Sequence, residues 1–504
     1  MPEHVRLVDT TLRDGVQSLW ASRLRASEAG PVLADLDAVG YDGIELIAPS
    51  AAFARAVKFL HEDPWDILRE FGSQRRESDF RLHGTVKPIF GHMPRAIREL
   101  MLERLAFYGL RTTRAASAWN DPVALAADKE LVGLFGIRFV ADLVFSVSPR
   151  HTDDYYVERA QGIAQVRPYR VCLKDVGGLL TPERVRTLVP RLLTALDGIE
   201  LEFHAHSNNG LAPLNVLAAV ESGIRIVHVA TPPLASGTSQ PSVLNVVGNL
   251  QARGFVTGVD LSRVAAVSEH LKQVAHAEQL PVGVPLDYDE HLYRHQVPGG
   301  MISNLAFQLE QLGVADRLEE TLEEIEHVRI DFGYPIMITP LSQFVGTQAV
   351  LNVVNKKRYE LVSDETILYA MGHWGNEAID VMDPQVRQEI LDRPRAAQLE
   401  IEKPTEPSLA ELRNLYGRQL NDEQLILRVY VGEEAEKLFT NPSRSFIRSH
   451  IPGGAANSIA DVVKAMTAVS PGRRYMRVEW RMGQDSVALI RRPSPSPPSG
   501  TSDA

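Results

Sequence analysis

The 504-residue chain has one cysteine, Cys172. One thiol cannot build an internal disulfide framework, and a cysteine-based zinc site needs several. Aromatic residues make up only 7%, and no run of eighteen or more apolar residues occurs, so no segment reads as a membrane-spanning helix. Positive charge is short: 53 Lys and Arg stand against 64 Asp and Glu, for a net charge of −11 and a pI of about 5.8. That balance excludes nucleic-acid binding by bulk electrostatics. The N-terminus, MPEHVRLVDTTLRDG, lacks the basic start and apolar stretch of a signal peptide. What remains is an ordinary globular composition, 44% hydrophobic and 23% charged. The length exceeds one compact domain, so two or three are expected. The composition points to a soluble cytoplasmic enzyme.

Eight strand-like runs alternate with helical stretches through the first 260 residues: Val5–Asp9, Gly43–Ile47, Phe80–Val86, Leu110–Ala115, Arg138–Val144, Arg170–Lys174, Glu200–His206 and Ile224–Val229. This pattern predicts an α/β fold, a (β/α)8 TIM barrel, over residues 1–285. A doubly wound open sheet is the alternative, but it usually stops at five to seven strands. A mostly helical extension is expected over 286–440 and a small α+β appendage over 441–492. The Pro/Ser-rich tail 493–504 is expected to be disordered.

In a barrel, chemistry sits at the C-terminal ends of the strands. Strand one runs into Arg13-Asp14, strand six ends in Lys174-Asp175, and strand seven in His204-Ala-His206. His-X-His on a strand puts both imidazoles on one face. With Asp14 at the same mouth they make a two-histidine, one-carboxylate set suited to a divalent metal. Lys174 has two readings. It is either salt-bridged to Asp175 or another acid, or carboxylated to an anionic carbamate that ligates the metal. Asn120 reads as a helix cap, Trp65 and Trp119 as core, Cys172 as packing inside the barrel, and His61 as a loop holder.

The run Asp9-Thr-Thr-Leu-Arg13-Asp14-Gly-Val-Gln17-Ser18 resembles the opening motif of a known family. That family is the carboxyltransferase domain of pyruvate carboxylase, the oxaloacetate decarboxylase alpha subunit and the transcarboxylase metal subunit. Further matches follow in the family's order. They include Phe59–Trp65, Val147–Tyr156, Leu173–Pro182, His204-Ala-His206, Gly237–Pro241, Pro298–Leu305 and Thr339–Gln348. The resemblance covers about residues 4 to 440.

It implies a metal held by Asp14, a carboxylated Lys174, His204 and His206, the ion being zinc, manganese or cobalt. Arg13 and Gln17 would lie near the substrate, and Ser303 would shuttle a proton with biotin. The implied reaction moves CO2 between carboxybiotin and a small acceptor such as pyruvate or oxaloacetate. No Met-Lys-Met biotin-attachment hairpin and no Gly-rich ATP-grasp region appear. The resemblance therefore implies a separate biotinyl carrier protein and a biotin carboxylase subunit, with the chain itself a homodimer or larger.

The departures fall on substrate recognition. His83 stands where the family has its carboxylate-binding arginine, and Phe90 where it has a tyrosine. Arg81 or Lys87 is the candidate replacement for the arginine. Ala48 and Ala54 stand where the family has tryptophan and aspartate. These changes predict an acceptor other than plain pyruvate. Two alternatives remain at this level: an aldol-type metallolyase or acyltransferase of the same barrel superfamily, and a non-catalytic barrel.

Overall fold

The computed structural model describes residues 2–72, 78–87, 91–297, 299–355, 357–402, 404–440, 476–482 and 485–491. Eight parallel strands close into a barrel: β1 (Arg6–Asp9), β2 (Gly43–Ile47), β3 (Phe80–His83), β4 (Thr112–Ala115), β5 (Arg138–Val144), β6 (Arg170–Asp175), β7 (Leu201–Ala205) and β8 (Ile226–Val229). The last strand closes on the first, with Arg6 opposite Ile226 and Asp9 opposite Val229. All eight strands expected from the sequence are present. The run Phe80–Val86 stops at His83 because Gly84 turns the chain with φ +90°, a region that side chains other than glycine rarely enter.

Parallel strands need crossovers, and helices supply them. Pro122–Gly133, Asp153–Val166 and Pro182–Ala195 each start at a residue whose side chain accepts a backbone N–H: Asp121 from Val123, Thr152 from Tyr155, Thr181 from Arg184. Proline at the first position of two of them loses no helical hydrogen bond. Val185, Leu188, Val189 and Leu192 form the buried stripe of the third, at the spacing of one helix face. Truncating any such leucine to alanine costs about 2–5 kcal/mol.

Barrels of this kind usually fill their interior with Val, Ile and Leu. Here much of the filling is ionic. At the N-terminal end Arg81 contacts Asp79 at 3.2 Å, Asp42 at 3.0 Å and Glu202 at 2.9 Å. Arg170 joins Asp42 and Glu202. A Cβ on Gly43 would lie 2.3 Å from Arg81 Nε, so the start of β2 takes glycine to leave room for the guanidinium. Above this layer Arg114 bridges Glu45 at 2.8 Å and Asp142 at 3.0 Å, with all three side chains fully buried. Buried charge is tolerable only when paired, and these charges alternate in sign.

Helices from Gly299–Gln311 to Pro394–Ile401 build a second core around Phe332, Phe344 and Tyr369. Trp119, from the loop after β4, inserts into it. The chain then returns to the barrel. Leu412, Leu425, Ile426 and Val431 join the barrel's own core, and Glu423 pairs with Arg69 and Arg104. The helical segment expected over 286–440 is thus divided between two cores. Beyond it, Met476–Met482 and Asp485–Arg491 form an antiparallel pair within the span expected to hold the small α+β appendage. Residues 441–475 and 492–504 lie outside the described residues. Among the described residues, no helix is long and apolar enough to cross a membrane.

Candidate active site

β1 delivers the first part of the site. At its end the Asp9 carboxylate accepts from Thr11 N at 3.1 Å and Thr11 Oγ1 at 2.6 Å. The chain then makes a buried π-helical turn, Thr11–Gly15, which carries Arg13 and Asp14 to the barrel mouth. Such turns recur at functional sites because they re-aim side chains.

β7 delivers the second part. Asp14 Oδ2 lies 3.1 Å from His204 Nε2 and 3.4 Å from His206 Nε2. The three side chains form a buried group whose ligand atoms all lie within 4.8 Å of one another. Facing all three is the Gln240 amide: its Nε2 stands 3.1 Å from Asp14 Oδ2, 3.3 Å from His204 Nε2 and 3.1 Å from His206 Nε2. The Gln240 carbonyl accepts from Thr10 Oγ1 at 2.8 Å, which fixes the amide's orientation.

The hydrogen bonds on the far sides of the rings decide their tautomers. His206 Nδ1 donates to Thr238 O at 2.7 Å, which turns its Nε2 toward the centre. His204 Nδ1 faces His228 Nδ1 at 3.0 Å, and His228 Nε2 faces Glu202 Oε2 at 3.0 Å. With His228 donating to Glu202, its Nδ1 accepts from His204, and His204 Nε2 is a lone pair. Burial, reinforced by the Arg114 charge, holds His204 well below its usual range and hence neutral. Burial alone would raise the Asp14 carboxyl, but Arg13 and His206 hold it well below the usual carboxylate range. A carboxylate and two imidazoles converging on one point fit a divalent cation.

Lys174, opposite His204 in the β6–β7 ladder, is buried at the same mouth. Its Nζ is 3.2 Å from Asp142, not Asp175. Asp175 instead accepts from the backbone N–H groups of Leu179 and Leu180. Burial pulls the Lys174 amine below its usual range against the pull of Asp142. Arg13 contacts Glu45 at 2.5 Å and Asp14 at 2.9 Å. One alternating chain of charge therefore runs Asp14, Arg13, Glu45, Arg114, Asp142, Lys174.

The substrate-side candidates separate. His83 sits at the mouth: burial first, then the charges of Arg13 and Lys174, hold it well below its usual range, and its Nδ1 is buried without a partner. Arg81 is a correction. It shares a strand face with His83, but its guanidinium is turned to the opposite end of the barrel and bound by three carboxylates. Lys87 is a second correction: half-exposed, it pairs with Asp128 at 2.7 Å on the helix Pro122–Gly133. Phe90 lies outside the described residues. Ser303 falls in the helix Gly299–Gln311, and its side chain also lies outside them. Gln17 is exposed on Val16–Trp20, one turn beyond Arg13.

Asn120 is not a helix cap. Its amide bridges both polar atoms of the Val144 backbone, and Asp121 caps instead. Cys172 and both tryptophans are buried as expected. Sequence reading missed Gln240, His228 and Glu202. Gln240 lay inside the Gly237–Pro241 match, and the other two are polar residues on apolar strands, a usable signal.

A closed eight-stranded barrel that gathers this donor set at its C-terminal mouth has the architecture of a barrel metalloenzyme. A family model described as "Conserved carboxylase domain" matches residues 292–462, and one described as "HMGL-like" matches 130–271. A pyruvate carboxylase subunit of Methanocaldococcus jannaschii is 34% identical over 393 residues, covering 77% of this chain and 68% of that one. The 2-oxoglutarate carboxylase large subunit of Hydrogenobacter thermophilus is 29% identical over 489 residues, 94% of this chain and 74% of that one. The fold matches the carboxyl transferase domain of Rhizobium etli pyruvate carboxylase with a TM-score of 0.79 at 22% identity, over 88% of this chain and 78% of that one. The chain belongs to the biotin-dependent, metal-using carboxyltransferase family of pyruvate carboxylase.

Proposed function

We propose that this chain is the carboxyltransferase subunit of a biotin-dependent carboxylase or decarboxylase, moving CO2 between carboxybiotin and a 2-oxoacid. The observation that carries the reading is the convergence of Asp14, His204 and His206 beside Lys174 and Arg13, in a chain of this family. In this reading the three hold one divalent metal, zinc, manganese or cobalt. Lys174 would add CO2 at its neutral amine, release one proton and, as a carbamate, serve as the fourth ligand; its place opposite His204 suits that role. The bound metal supplies Lewis acidity toward the acceptor carbonyl.

The chain's own residues do the rest. Arg13 and Gln17 orient the acceptor. Ser303 passes the proton between C3 of the acceptor and N1 of biotin. The N–CO2 and C3–H bonds break, the C3–CO2 and N–H bonds form, and no oxidant or reductant is needed. The biotin arrives on a separate carrier protein, loaded in the carboxylating direction by a biotin carboxylase. In this reading the reaction runs in the cytoplasm, and the working form is a homodimer or larger.

The test is decarboxylation of oxaloacetate by the metal-loaded protein, with and without free biotin. Biotin-stimulated release that disappears in Asp14→Asn is the expected result. A protein that binds no metal and shows no biotin effect overturns the reading.

A further inference from the structure

A cavity of about 650 Å³, counting the open space at its mouth, reaches Arg13, the residue before Asp14. It runs from Arg13 and Gln17 outward, between the turn that follows β1 and the helical segment Pro49–Leu60 that follows β2. Its body is apolar: Val16, Leu46, Ala48, Ala52, Leu60 and Ile67 line it. A methyl group alone would leave most of this apolar lining without a partner.

The two ends differ in chemistry. At the inner end the Arg13 side chain is only 3% exposed. Its Nε and Nη2 are committed to Glu45 and Asp14, while Nη1 has no partner among the described residues. The Gln17 amide has none there either. These unpaired donors are matched to a carboxylate or a carbonyl. At the outer end stand Glu62 and Asp63, already engaged by Arg25 and Arg69. A second carboxylate arriving there would meet Glu62 and Asp63, whose cation partners are already engaged.

We propose that this cavity holds the side chain of the carboxyl acceptor, and that the acceptor is a 2-oxoacid whose C3 carries an uncharged aliphatic group. The proposal rests on the carboxyltransferase reading. The oxoacid head lies at Arg13 and Gln17, next to Asp14, and the aliphatic group leaves water for the apolar body. C3 keeps at least one hydrogen, because that C–H bond is the one exchanged for C–CO2. An acceptor whose side chain ends in a second carboxylate is disfavoured by Glu62 and Asp63, and pyruvate leaves the cavity empty.

The test follows exchange of the C3 hydrogens in heavy water by proton NMR, using the metal-loaded full chain with pyruvate, 2-oxoisocaproate and 2-oxoglutarate. The expected kcat/KM for 2-oxoisocaproate exceeds that for pyruvate by at least about tenfold, the discrimination an apolar pocket gives one methylene. Ala48→Trp and Ala52→Leu, made separately, fill different parts of the cavity, and each is expected to collapse that ratio. Preference for pyruvate or 2-oxoglutarate, or a ratio that neither folded variant moves, overturns the cavity assignment while leaving the carboxyltransferase reading intact. No exchange with any of the three acids, from protein holding one metal per chain, overturns both.

Discussion

His204 and His228 face each other through their Nδ1 atoms at 3.0 Å, and only one of those nitrogens can carry the proton. Glu202, 3.0 Å from the far side of His228, decides which. It draws the His228 proton to Nε2, so His204 donates from Nδ1 and presents its Nε2 lone pair beside Asp14. A buried carboxylate thus orients a proposed metal ligand through an intermediate imidazole. Partners of this kind typically govern a factor of about 10–100 in metal affinity. His228→Asn is expected to weaken zinc or manganese binding by about that factor, measured by competition with a chromophoric chelator. An unchanged affinity in a folded variant removes His228 from the positioning role.

Lys174 distinguishes a plain ion pair from a carbamate. Labelled bicarbonate supplied with metal is expected to give a carbamate carbon signal in the NMR spectrum of the native protein. That signal is expected to vanish in Lys174→Arg, along with most metal binding. If Lys174 serves only to neutralise Asp142, arginine keeps the charge, metal binding survives, and no carbamate signal appears in either protein.

Arg81 is a structural residue on this geometry. Arg81→Met leaves Glu202, Asp42 and Asp79 facing one another with less positive charge between them. Breaking a buried pair from one side costs about 3–5 kcal/mol. Urea denaturation is expected to show a loss of that size. Because Arg81 lies at the end of the barrel away from the mouth, the KM for the acceptor is expected to stay near the native value. A selective rise in KM at native stability restores Arg81 as a substrate residue.

Acid sensitivity follows from His151. Burial, with the charges of Arg329, Arg150 and Arg159, holds this ring down to about 3. An unfolded histidine titrates near 6.5. Between those values only the unfolded chain takes up the proton, so the contribution is complete above about pH 6.5 and is lost as the pH falls toward 3, at ~1.4 kcal/mol per unit. His295, pushed by burial down to about 4, acts in the same direction. Urea midpoints at pH 7, 5.5 and 4.5 are expected to fall, and to fall less steeply in His151→Gln. Parallel slopes in both proteins contradict the assignment.

The sequence by itself determined the eight strands, their closure into a barrel, and the placing of Asp14, Lys174, His204 and His206 at one end. Strand alternation and the C-terminal position of each residue on its strand suffice for that, because both are local properties of the chain. Which cation meets which anion was decided only by the tertiary structure. Arg81 and His83 share a strand face, yet two residues of strand rise, roughly 6–7 Å, separate a guanidinium bound at the floor from an imidazole at the mouth. The same holds for Lys174, whose acid is Asp142 on the neighbouring strand β5 rather than its sequence neighbour. Gln240 and His228 reach the centre because β8 closes on β1 and brings the segment after it against the turn that carries Asp14. Pairing inside a barrel depends on depth along its axis and on contacts between strands, and a linear pattern of residues records neither.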